Sequence, residues 1–217
     1  MIKVLIVDDH ELVRSGITRM LADDEDIRVI DQADSGEAAL ESIKKERPDV
    51  VLMDLRMPGM GGLEATRRIL RVDDEIKVVA VTACADDPYP TRVMQAGASA
   101  YITKGADLRE MIRAIRMAHV GQRYVSPEIA QKMALRNMQG EATEEEIAFD
   151  QLSERELQIA MMIVDCHKVQ DISDKLCLSP KTVNSYRYRI FDKLGISSDV
   201  ELALMAVRLG LLDDNKV

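Results

Sequence analysis

The sequence has no C-x-x-C pair. Its three cysteines, Cys84, Cys166 and Cys177, are odd in number and scattered, which excludes a disulfide framework and leads us to expect reduced, buried thiols. Cys166 and His167 are neighbours, but no second Cys/His pair joins them, so a zinc site is not expected. No apolar window approaches the length of a membrane span, and residue 2 opens a strand where a cleavable leader would stand. A soluble, cytoplasmic protein without membrane partners is expected. With 47% apolar and 31% charged residues the composition is globular, and 217 residues suit one large domain or two small ones.

The net charge of −9 is unevenly spread. Residues 1–120 hold 17 basic and 22 acidic side chains, 121–150 hold 3 and 6, and 151–217 hold 9 and 10. The tail is thus nearly neutral inside an acidic protein. Lys181, Arg187, Arg189 and Lys193 crowd into one segment of it, against the single acid Asp192. A local patch of this kind, rather than the overall charge, decides whether nucleic acid is a partner.

Through the first 120 residues, strand and helix patterns alternate. Val50 to Met53 is an unbroken apolar run, as in a parallel strand covered on both faces, and it ends in Asp54 and a Met57-Pro58-Gly59 turn. Ile2 to Val7, Arg28 to Ala33, Ile76 to Val81 and Ser99 to Thr103 read as the other four strands. A first helix over about Glu11 to Ala22 would bury Leu12, Val13, Ile17, Met20 and Leu21. Ser35 should cap the second helix, and Asp107 the last, whose stripe is Leu108, Met111, Ile112 and Ile115. Five such units imply a doubly wound parallel sheet, flavodoxin-like, with helices on both faces.

The carboxyl ends of those strands share one edge, where open α/β sheets bind ligands. Asp8 and Asp9 follow strand one, Asp54 strand three, Thr82 ends strand four and Lys104 follows strand five. Three carboxylates raise one another's pKa unless a cation intervenes. A hard divalent ion, Mg²⁺ for choice, answers this and leaves room for phosphate oxygens. A plain salt-bridged rim is the alternative.

Residues 121–150 break the alternation. Ser126-Pro127 opens a short helix, and the acidic stretch from Gly140 to Glu146 reads as a mobile linker. From Leu152 onward the pattern is all helical. Ser153-x-x-Glu156 is a capping box, Val169 to Leu176 a short helix, Ser179-Pro180 the start of a third ending at Gly195, and Asp199 to Leu209 a fourth. In the third, Val183, Ile190 and Leu194 would face inward, and Asn184, Ser185 and Tyr188 outward, flanked by Lys181, Thr182, Arg187 and Arg189. That is a helix-turn-helix plan sized for a major groove.

Asp8-Asp9, Asp54-x-x-Met57-Pro58-x-x-Gly61, Thr82-Ala83 and Lys104 resemble the receiver domain of bacterial response regulators. Leu152-Ser153-x-Arg155-Glu156, Ile172, Leu176, Ser179, Thr182-Val183 and Lys193-Leu194 resemble the LuxR-type DNA-binding domain. Together they resemble a NarL/FixJ-class regulator, and the GacA/UvrY group in particular, on Thr103-Lys104-Gly105, Gly121-Gln122-Arg123-Tyr124 and the run from Lys175 to Asn184. Gly105 stands where many receivers have proline, Cys166 where a glycine is common and Tyr186 where a histidine is common.

The resemblance implies a receiver over 1–120, a linker with a short helix over 121–150 and a four-helix DNA-binding domain over 151–217. It implies that Asp54 accepts phosphoryl from a sensor histidine kinase of the GacS/BarA kind, and that Asp9, Asp54 and the Arg56 carbonyl ligate Mg²⁺, with Asp8 reaching it through water. Thr82, Ala83 and Lys104 would hold the phosphoryl oxygens, and Tyr101 would swing inward with Thr82. By the same likeness Asn184, Ser185 and Tyr188 reach base edges, while Lys181, Thr182, Arg187, Arg189 and Lys193 hold the phosphates of a double-stranded operator. A homodimer paired through the fourth helix when phosphorylated, and target genes for small regulatory RNAs, are also implied. A phosphatase of the haloacid dehalogenase type would need Asp-x-Asp-x-Thr after strand one, which Asp8-Asp9-His10 lacks. A protein-binding role for the helical tail stays open at this level.

Overall fold

The computed structural model describes residues 1–82, 89–138, 143–209 and 211, and these form two compact units that divide between residues 133 and 134. In the first, β1 (Ile2–Val7), α1 (Glu11–Leu21), β2 (Ile27–Ala33), α2 (Gly36–Lys45), β3 (Val50–Met53), α3 (Gly62–Val72), β4 (Lys77–Thr82), α4 (Tyr89–Gln95), β5 (Ala100–Thr103) and α5 (Leu108–His119) alternate. With β6 (Tyr124–Val125) at one edge, the strand order is β2-β1-β3-β4-β5-β6, with every neighbouring pair parallel.

Side chains alternate across a strand, so a sheet covered on both faces must be apolar at every position. Val4, Ile6, Val50, Leu52, Val79, Val81 and Ile102 share one core with Ile17 and Leu21 of α1 and Met111 and Ile115 of α5. The interleaved Leu5, Val7, Val51, Met53, Val78, Ala80 and Tyr101 are buried as well. Ser35 and Asp107 cap α2 and α5 as expected, accepting from the Ala38 and Glu110 amides.

Two expectations for this unit need correction. Leu12 is 88% exposed, and Met20 lies at the surface. At 100° per residue Leu12 points about 140° away from Ile17, so α1 buries the narrower line Val13, Ile17 and Leu21. The sheet also has a sixth strand, β6 (Tyr124–Val125), beside β5. Two residues carry no periodicity to read.

The division between the units falls within α6 (Pro127–Met138). The second unit is helical: α7 (Glu144–Asp150), α8 (Glu154–Val164), α9 (Val169–Leu176), α10 (Pro180–Leu194) and α11 (Asp199–Arg208). α10 packs on α7, α8 and α9, and α11 on α8. α7 corrects the reading of residues 143–146 as mobile linker. Thr143 and Glu146 form a capping box of the same kind as Ser153 and Glu156, and Phe149 is buried. The rest of that stretch, 140–142, lies outside the described residues.

The cysteines differ from expectation too, because Cys166 and Cys177 are exposed. Both have positive φ, 61° and 52°, where the chain turns out of α8 and α9. Such a turn places its residue at the surface and favours glycine, which carries no Cβ penalty there. Cys84 lies outside the described residues. Cys166→Gly should therefore raise the unfolding free energy by about 1 kcal/mol in urea titrations.

Candidate functional site

Backbone pairing brings the strand ends together. The Asp54 amide donates to the Val7 carbonyl at 2.8 Å, so Asp8 and Asp54 leave the sheet side by side. The Lys104 amide donates to the Thr82 carbonyl at 2.8 Å, which draws the end of β5 to that of β4. Asp8 and Asp54 are each 3% exposed. Lys104 Nζ bridges them, 2.6 Å from Asp8 Oδ2 and 2.8 Å from Asp54 Oδ2. Arg56 donates its amide to Asp54 Oδ1 at 3.3 Å.

Beyond Asp54 the chain turns sharply. The Gly62 amide donates to the Leu55 carbonyl at 3.1 Å, and a side chain at Gly62 would overlap the Asp54 carbonyl oxygen. Only glycine lets α3 begin this close to the acid.

Asp9 lies on the rim of the cluster, with His10 beside it. His10 Nδ1 stands 2.9 Å from Asp9 Oδ1 and 3.2 Å from Asp8 Oδ1, and the His10 amide donates to Asp8 Oδ1 at 2.9 Å. Asp9 Oδ1 is nevertheless buried without a hydrogen bond of acceptable geometry. One oxygen or nitrogen each from Asp8, Asp9, His10 and Asp54 falls within 4.8 Å of the others. Three carboxylates face one ammonium here, so the cluster is short of positive charge. The three carboxylates of this set, with a buried Asp9 oxygen that accepts no hydrogen bond, fit a hard divalent ion such as Mg²⁺.

Burial is the largest influence on Asp54 and pushes its carboxyl above the usual range, with Lys104 pulling it partway back. Burial alone would lower Lys104, but its bonds to Asp54 and Asp8 outweigh this and hold the ammonium above its ordinary value. Thr82 and Tyr101 are fully buried, at the end of β4 and within β5. Ala83 lies outside the described residues. His10 was missed by sequence reasoning, although its place next to Asp8-Asp9 was the available signal.

In the second unit, Ser179 caps α10 by accepting from the Thr182 amide at 3.1 Å, with Pro180 in the first turn. Val183, Ile190, Phe191 and Leu194 are buried. The opposite face presents Lys181, Ser185, Tyr188 and Arg189 to solvent, with Thr182 and Asn184 half-buried beside them. Tyr188 is 70% exposed, unusual for an aromatic without a partner. Among the described residues neither Lys181 nor Arg189 has a carboxylate partner.

The other two basic residues are engaged within the unit. Arg187 forks onto Asp199 at 2.6 and 2.6 Å and lies over the Phe191 ring at 5.3 Å. Lys193 bonds Glu156 Oε2 at 2.7 Å and the Gln151 carbonyl at 3.2 Å. Burial works against the Glu156 charge, but Lys193 and Ser153 hold its carboxyl below the usual range. These pairs tie α10 to α11 and to the start of α8.

Residues 4–116 match the response regulator receiver domain, and 150–206 match the bacterial regulatory proteins of the luxR family. The response regulator GacA of Pseudomonas aeruginosa is 65% identical over 213 residues, 98% of this chain and 99% of its own length. The chain belongs to the NarL/FixJ-class response regulators. The response regulator UvrY of Escherichia coli is 53% identical, covering 97% of this chain and 96% of its own. A LuxR-family two-component response regulator from Aurantimonas sp. superposes with a TM-score of 0.62 at 34% identity, over 64% of this chain and 99% of that one. RcsB from Salmonella enterica serovar Typhimurium, bound to promoter rprA in the presence of phosphomimetic BeF3-, shares the fold with a TM-score of 0.67. That likeness stands at 21% identity and covers 95% and 99% of the two chains. As a response regulator with a receiver and a LuxR-type DNA-binding domain, the protein controls transcription. Among the described residues no helix is long and apolar enough to cross a membrane.

The charge imbalance at Asp54 has a measurable sign. A carboxyl raised above its unfolded value contributes stability that is complete below the ordinary carboxylate range and lost as pH rises through the raised value. Without divalent ions, Asp54→Asn should thus be more stable than the parent at pH 7. The gap should narrow as the pH falls towards about 4, the unfolded carboxylate value, in urea unfolding followed by circular dichroism.

Proposed function

We propose that this regulator takes a phosphoryl group on Asp54 from a sensor histidine kinase of the GacS/BarA type and thereby changes how α10 meets an operator. One observation carries the reading: the buried carboxylates of Asp8 and Asp54 share the Lys104 ammonium, with an unsatisfied Asp9 oxygen alongside. We assign residues 1–120 to the receiver, 121–150, a connection structured by β6, α6 and α7, to the linker and 151–217 to the DNA-binding domain.

Asp8, Asp9, Asp54 and the Arg56 carbonyl would hold Mg²⁺. When bound, it neutralises carboxylate and phosphoryl oxygens as they approach one another. The protein's own groups do the rest. An Asp54 oxygen attacks phosphorus as the P–N bond to the kinase imidazole breaks, and that bond's electron pair leaves with nitrogen. Lys104 meets the developing charge on the phosphoryl oxygens, with the Thr82 hydroxyl and the Ala83 amide as further donors. Positioning and charge suffice, because the transition state needs little covalent help. Water later returns Asp54 to the free acid. Thr82 drawn toward the phosphate, with the Tyr101 ring, already buried in this structure, shifting behind it, carries the event to the surface formed by α4, β5 and α5.

On α10, Asn184, Ser185 and Tyr188 read bases, and Lys181, Thr182 and Arg189 hold phosphates. Arg187 and Lys193, assigned to phosphates by the family likeness, reach DNA only by leaving Asp199 and Glu156. Phosphorylated copies pair through α11, whose Val200, Leu204 and Val207 are exposed, and so address two half-sites. The promoters are those of small regulatory RNA genes, and the protein works in the cytoplasm.

Gel shifts on such a promoter test this. Acetyl phosphate with Mg²⁺ should tighten binding by the parent and leave Asp54→Asn unchanged; equal tightening of both would contradict the reading. Lys181→Ala should weaken binding to all sequences alike and reduce the salt slope by about 1.

A further inference from the structure

The chain leaves the receiver past the strand that holds Tyr101. β6 pairs with β5 in the register Ala100↔Tyr124 and Tyr101↔Val125. The Tyr124 amide donates to the Ser99 carbonyl and the Ser126 amide to the Tyr101 carbonyl, both at 3.0 Å. Backbone pairing alone is a weak hold on an edge strand of two residues. The side chains add more. Glu110, in the first turn of α5, accepts from the Ser126 hydroxyl at 2.6 Å and from the Tyr124 phenol at 3.1 Å, both on Oε1. The Arg113 guanidinium lies over the Tyr124 ring at 5.6 Å. Ser126 is buried, and so is Ile129 in the first turn of α6. Burial first, and then the Glu110 charge, push the Tyr124 phenol above its usual value, so it stays a donor throughout the neutral range.

We propose that Glu110 is a positioning residue of the regulator's output: it pins Tyr124 and Ser126 so that β6 and the start of α6 move with β5. The inference rests on the phosphorylation reading for what moves β5, but not for the pin itself. Without Glu110, β6 keeps its backbone bonds and the Arg113 contact on the Tyr124 ring, too loose a hold to carry a shift at Tyr101 into Ser126. Nothing in Asp54's surroundings involves Glu110, so phosphoryl uptake is left as it was. The acceptor oxygen is what the pin requires, so glutamine at 110 preserves it and alanine does not.

Amide hydrogen exchange on the full-length protein tests this, with beryllofluoride and Mg²⁺ as the probe of the phosphorylated state. Glu110→Ala should speed exchange at Tyr124 and Ser126 at least tenfold, and Glu110→Gln should restore protection to within about twofold. In the parent, beryllofluoride should change exchange at Tyr101 and Ser126 together; in Glu110→Ala it should change Tyr101 alone. The double variant Tyr124→Phe/Ser126→Ala, which keeps α5 intact, should behave like Glu110→Ala. Unchanged protection in Glu110→Ala, or a Ser126 response to beryllofluoride that survives it, would overturn the pin. A parent that ignores beryllofluoride at Tyr101 would instead count against the phosphorylation reading, and the alanine and glutamine pair would still decide whether Glu110 holds β6.

Discussion

Lys104 between two buried carboxylates is the constraint on which the rest of the receiver depends. Two like charges taken out of water beside each other are costly, and one shared ammonium offsets only part of that cost. The fold accepts it because parallel pairing of β1, β3 and β4 leaves the strand ends at a common edge. The buried apolar residues of those strands fix the sheet that presents that edge. The residual negative charge is what the proposed cation and phosphoryl group would answer.

The same economy appears in the helical unit, where the exposed face of α10 is uncommitted and its flanks are tied down. Arg187 and Asp199 fix α10 against α11, and Lys193 and Glu156 fix it against the capping box of α8. Charge on α10 therefore has two uses here. Lys181 and Arg189 stay available to a polyanion, while Arg187 and Lys193 set the orientation in which that face is presented.

Much of this was legible in the sequence because it rests on patterns that survive without neighbours. Apolar runs closed by Asp8, Asp54 and Lys104 announce strands whose charged ends meet at one edge, and Ser35, Asp107, Ser153 and Ser179 announce helix starts by a local bond each of them makes. What escaped depends on tertiary partners. Leu12 looks like core until the helix is rotated onto the sheet, and β6 is a strand only because β5 lies beside it. The pairing of Arg187 with Asp199 spans a turn that periodicity does not resolve. Cys166 and Cys177 look like interior residues by type, but their backbone conformation puts them outside. Thr143-x-x-Glu146 carried a readable helix start that the acidic run around it obscured.

The most direct measurement of the central claim is intact-protein mass spectrometry after incubation with acetyl phosphate and Mg²⁺, with peptide mapping of the product. The account predicts an adduct of about 80 Da, the mass gained in transfer of one phosphoryl group, carried by Asp54 and absent when EDTA replaces the metal. No adduct, or an adduct on a residue other than Asp54, would contradict it.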